Sequence, residues 1–136
     1  MPTDDRIELV RSLYAAFARR DFEAIAAALD EEIDVRMEAP VPWGGRYTGL
    51  AGFQDFFGLL LAHLDTEVEI GELIDAGAHV VQLGYTHGRV LRTGAEFRVR
   101  EMHVWGFAEG KVRTFHIYLD VPALLAVLPA NVVSGR

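Results

Sequence analysis

The sequence predicts an α+β fold in which a curved antiparallel sheet wraps around three N-terminal helices. Three segments with helical apolar spacing come first, and four extended segments then follow one another through short turns. At 136 residues the chain can bury about two thirds of its unfolded surface in one domain over 1–136. The ordered core is expected over about 4–128, with fraying in the tail ANVVSGR.

The first helix begins where Thr3 or Asp4 can cap it, and Ile7, Val10, Leu13, Tyr14 and Phe17 form its apolar stripe. Asp21 caps a shorter helix carrying Phe22, Ile25, Ala26 and Leu29. In IDVRMEA, Ile33, Val35, Met37 and Ala39 alternate with Asp34, Arg36 and Glu38, the pattern of a half-buried strand that Pro40 and Pro42 end. The segment PVPWGGRYTG reads as a loop, and its Trp43 and Tyr47 suit a cover over something apolar. A third helix runs from about Leu50 to His63, with Phe53, Phe56, Phe57, Leu60 and Leu61 on its buried face. Strands are predicted near Glu67–Ile74, His79–Val90, Glu96–Phe107 and Val112–Val121.

Composition removes several functional classes. The chain has no cysteine, so disulfides, thiolate catalysis and cysteine metal sites are absent. The histidines His63, His79 and His87 show no metal-ligand spacing, and no metal is expected. Charged residues break every apolar run well short of the roughly 18 residues a membrane span needs. The start MPTDDRIELV lacks the basic and apolar regions of a secretory signal, so a cytoplasmic protein is expected. A net charge of −7 argues against a nucleic-acid surface, and no phosphate-binding or nucleophile-elbow motif is present.

The stretch FRVREMHVWGFAEGKVRTFHIY carries the candidate chemistry. Alternation puts Phe97, Val99, Glu101, His103, Trp105 and Phe107 on one strand face and Arg98 and Arg100 on the other. Burying a carboxyl and an imidazole among aromatic rings costs roughly 1 to 3 kcal/mol each unless they find partners. On the final strand, Phe115, Ile117 and Leu119 share the face expected to line a cavity, and His116, Tyr118 and Asp120 share the other. Asp120 also stands where it can cap a last short helix.

The order of elements, with LYAAFARRDFEAIAAAL, PVPWGGRYTG, GFQDFFGLL, TGAEFRVREMHVW and FAEGKVRTFHIYLD, resembles the nuclear transport factor 2-like superfamily. Within it the chain is similar to the SnoaL-like and ketosteroid-isomerase-like branch, from about Ile7 to Leu125. The resemblance implies a cone whose open end admits a small hydrophobic molecule, and a homodimer formed through the outer sheet face. In ketosteroid isomerase an aspartate base shuttles a proton while a tyrosine and a neutral aspartic acid stabilise the enolate oxygen. By resemblance, Tyr14 matches the tyrosine and His103 falls where the neutral acid would sit. The base position is Ala39, with Glu38 beside it on the opposite strand face, and Asp120 matches an acid of the cyclase branch.

The expectation is thus a SnoaL-like protein that binds an oxygen-bearing apolar ligand and isomerises, dehydrates or cyclises it by acid/base chemistry without a cofactor. His103, Tyr14, Asp120 and Glu38 are its catalytic candidates. Trp43, Glu101, Trp105, Phe57, Phe115 and Ile117 are its ligand-binding candidates. Ala39 favours the alternative, a non-catalytic binding or structural member.

Overall fold

The structure, a computed structural model, describes residues 3–38 and 40–129. Ala39 and the tail ANVVSGR lie outside the described residues. The elements run α1 (Thr3–Ala18), α2 (Phe22–Ala27), β1 (Leu29–Met37), β2 (Gly45–Thr48), α3 (Gly49–His63), β3 (Leu64–Asp75), β4 (His79–Val90), β5 (Glu96–Ala108), β6 (Lys111–Leu119) and α4 (Val121–Leu125).

Local chemistry accounts for the boundaries. The Asp21 carboxylate accepts from Ala24 N at 3.1 Å and starts α2. Leu29, read from the sequence as the end of that helix, instead opens β1. The Pro/Gly segment contains one short strand, β2, which pairs with the end of β1. Asp120 caps α4 through Ala123 N at 3.2 Å.

The six strands form one sheet in the order β2-β1-β6-β5-β4-β3. All neighbours are antiparallel except β1 and β6, which run parallel. Hairpins force β3 to β6 into alternating directions, whereas no turn joins β1 to β6, so their relative direction is set by packing alone. The register of β3 on β4 shifts at a bulge between Ile70 and Glu72, a feature that bends a strand. There a side chain at Gly71 would overlap the carbonyl oxygen of Leu83, and one at Gly84 that of Glu69.

The bend brings the inner face around α1 and α3. Val10, Leu13 and Phe17 of α1 and Phe53 and Phe56 of α3 are buried against Ile33, Val35, Val99, Trp105, Phe115 and Ile117 of the strands. Aromatic pairs stitch the layers together, among them Phe17 with Phe57 at 5.5 Å and Tyr47 with Phe56 at 5.3 Å between ring centres.

Candidate functional site

The strand alternation puts Glu101, His103 and Trp105 of β5 on the inner face, all buried. Register sets Gln82 of β4 opposite His103 and Gly84 opposite Glu101. Helix α1 delivers Tyr14 onto the same spot. These five side chains form one hydrogen-bonded chain.

Its proton positions follow from donor identity. Trp105 Nε1 has only a hydrogen to give, and it donates to Tyr14 Oη at 2.9 Å. His103 Nδ1 faces the donor-only Gln82 Nε2 as well as Tyr14, and an accepting Nδ1 satisfies both contacts, so Tyr14 sends its own hydrogen to Nδ1, 2.7 Å away. That makes Nδ1 the bare nitrogen and puts the imidazole hydrogen on Nε2, which faces Glu101 Oε2 at 3.3 Å. Gln82 Nε2 donates to the same carboxyl oxygen at 2.5 Å and lies 3.5 Å from His103 Nδ1. Gln82 Oε1 is buried without a hydrogen-bond partner.

Burial governs the electrostatics. It lowers the His103 imidazole to about 3, so the ring is neutral at ordinary pH. It raises Glu101 to about 7, with the Gln82 hydrogen bond opposing only part of the effect. It also pushes the Tyr14 phenol well above its ordinary value, an effect the Trp105 hydrogen bond only partly opposes. Glu101 is therefore the group that changes charge near neutrality.

Tyr14, Glu101, His103 and Trp105 stand in the wall of a cavity of about 80 Å³ whose remaining lining is almost wholly apolar. One water needs only about 10 to 15 Å³ of such volume, so the space admits something larger. Of the lining residues, Phe57, Leu60, Val68 and Leu119 are partly exposed and mark the side facing solvent.

Most residues singled out in the sequence meet at this wall: Tyr14, Trp43, Phe57, Glu101, His103, Trp105, Phe115 and Ile117 all line the cavity. Two do not. Glu38 is exposed just past β1, because Met37 takes the inward position and the next side chain alternates outward. Asp120 is exposed and its carboxylate is engaged as the α4 cap. Trp43 is 1% exposed, and the Tyr47 hydroxyl donates to its carbonyl at 3.0 Å, so the Pro/Gly segment is anchored.

Three polar residues of the inner face went unread in the sequence: Gln82, Thr66 and Thr86. The signal was there for β4, where Val80, Gln82, Gly84 and Thr86 alternate inward. Polar residues at inward registers call for partners, and each here has one: Gln82 on Glu101, and the two threonines on each other at 2.8 Å.

The outer face carries the basic residues. Arg98 is bound to Glu69 at 2.6 Å and sits over the Tyr85 ring at 3.6 Å. His116 meets Asp34 at 3.3 Å. Among the described residues, no three side chains cluster as metal ligands, and no helix is long and apolar enough to cross a membrane.

A six-stranded sheet curled around helices, with a polar cluster on its inner wall, is the NTF2-like fold. An NTF2-like protein of unknown function from Burkholderia pseudomallei superposes with a TM-score of 0.86 at 25% identity, over 93% of this chain and 98% of that one. An NTF2-like protein from Burkholderia thailandensis gives 0.83 at 28% identity, over 90% and 97%. TerC, co-crystallized with polyporic acid, gives 0.83 at 24% identity, also over 90% and 97%. Within this fold the chain belongs to the SnoaL-like domain family, which matches residues 10–115. No curated protein matches it in sequence.

Proposed function

We propose that the cavity binds a small, largely apolar molecule bearing an oxygen function and that Glu101 moves a proton on it without a cofactor. The observation that carries this reading is a buried carboxyl at about 7 in the wall of an apolar cavity. A group titrating near the working pH serves as base in one form and acid in the other. No hydrogen bond from the described residues reaches Glu101 Oε1, which leaves that oxygen for a guest.

The other members of the chain hold Glu101 in place. His103, kept neutral, stands with Nε2 3.3 Å from Oε2, Gln82 donates to that oxygen, and the Tyr14 hydroxyl holds the imidazole from its other side. Because the hydrogen of Tyr14 is committed to His103, the phenol acts through the imidazole and not as a free donor to the ligand.

Proton abstraction next to a carbonyl is the simplest reaction such a site can perform. Cyclohexanone in D2O, followed by NMR, tests it: the protein should speed exchange of the α-hydrogens over buffer, and Glu101→Gln should slow the catalysed exchange by roughly 10²-fold. If the unaltered protein gives no acceleration while cyclohexanone still binds, the acid/base reading is lost and a binding role replaces it.

A further inference from the structure

The cavity has a second polar spot, set apart from Glu101. Thr66 of β3 and Thr86 of β4 both line it, with their hydroxyl oxygens 2.8 Å apart. Their surroundings are otherwise aliphatic and aromatic. Valine has nearly the same shape and suits a strand as well, so the hydroxyls add cost without adding fit unless they are used.

Counting hydrogens shows what the pair offers. Two hydroxyls own two hydrogens and four lone pairs. One hydrogen closes the bond between them. The other goes to a backbone carbonyl, either His87 O from Thr66 at 3.3 Å or Glu67 O from Thr86 at 3.4 Å. Only lone pairs remain. An acceptor-only spot in apolar surroundings is matched by a ligand that donates.

The spacing sets the length of that ligand. Thr86 is two residues along β4 from Gly84, which pairs with Glu101, a step of about 6.7 Å along a strand. A six-membered ring with oxygens on opposite carbons is of this order of length, and Val68, paired with Thr86, and Leu119, paired with Glu101, offer it apolar neighbours at the same level.

We propose that the ligand is a flat apolar ring with oxygen functions at opposite ends, one a hydroxyl that donates to the Thr66–Thr86 pair and the other a group that meets Glu101. This rests on the reading of the cavity as a ligand site, and it makes the two threonines its specificity-determining residues.

Hydroquinone and p-cresol differ only in whether the second end carries a hydroxyl or a methyl. Their affinities, measured by calorimetry with oxygen excluded, should differ three- to tenfold in favour of hydroquinone. Thr86→Val, and separately Thr66→Val, should abolish that preference, chiefly by weakening the binding of hydroquinone. Equal affinity of the unaltered protein for the two phenols overturns the inference and spares the cavity reading. So does a preference that survives in either variant that folds, as judged by circular dichroism. Failure of both phenols to bind the unaltered protein overturns the cavity reading and this inference with it.

Discussion

Two acid–histidine pairs stand on opposite faces of the sheet at the same separation, 3.3 Å from Nε2 to the carboxyl oxygen, and behave as opposites. Inside, Glu101 and His103 expose 1% and 7% of their side chains, and burial drives both toward their neutral forms. Outside, Asp34 and His116 expose 14% and 24%. Burial there also works to raise the Asp34 carboxyl, but hydrogen bonds from Arg46, His116 and Arg36 outweigh it and hold the group below its ordinary value. Distance between an acid and a base therefore says little by itself about charge. What surrounds the pair, cations and water on one face or aromatic rings on the other, decides it.

The largest expected effect comes from deleting each histidine. His103→Ala leaves the Tyr14 hydroxyl without its partner and opens a hole beside Glu101 inside the wall, and should cost about 3 kcal/mol in urea unfolding. His116→Ala, on the solvated face, should cost less than about 1 kcal/mol. Comparable losses would erase the contrast between the faces.

The pH profile sharpens it. Glu101, raised from 4.5 to about 7, contributes stability that is complete below pH 4.5 and is lost as pH rises through about 7. His103, lowered from 6.5 to about 3, contributes stability that is complete above pH 6.5 and is lost as pH falls through about 3. Between pH 4.5 and 6.5 the two oppose each other, and their combined effect should be nearly flat. Glu101→Gln removes one arm, so stability of the variant should climb steadily from pH 3 to 6.5 and exceed that of the parent at pH 8. Denaturant titrations at those pH values decide the matter, and a variant whose profile overlays the parent's would show that the inner carboxyl is not held neutral.

The smallest effect belongs to the outer carboxylate. Asp34→Asn should lower stability by less than about 1 kcal/mol at low salt, and 1 M NaCl should remove most of the difference because its partners Arg36 and Arg46 reach into solvent, where charges are then screened within about 3 Å. The Glu101→Gln difference, arising in a dry wall, should persist at the same salt concentration.

Period-two alternation was enough to place Glu101, His103 and Trp105 together on an inner face, and Phe115 and Ile117 with them, because side-chain direction in a strand is a local property of the backbone. The same rule already pointed Glu38 outward. Capping chemistry likewise announced Asp21 and Asp120 from the residues themselves. Tyr14 was different: its stripe marked it only as core, and the family resemblance, not any local pattern, paired it with His103 across 89 positions. The short strand β2 was hidden because its four residues lie in a segment whose prolines and glycines read as loop.

What residue order determined by itself was the set of elements, the inward face of each strand and the presence of an acid and an imidazole among aromatic rings. Tertiary structure alone decided the parallel docking of β1 on β6, the threonine pair contributed by two strands, and the tautomer and charge of the inner pair. The physical reason is range: strand direction, capping and alternation are settled over a few residues, whereas the direction of an unlinked strand and the ionisation of a buried group depend on which distant segments exclude water from it.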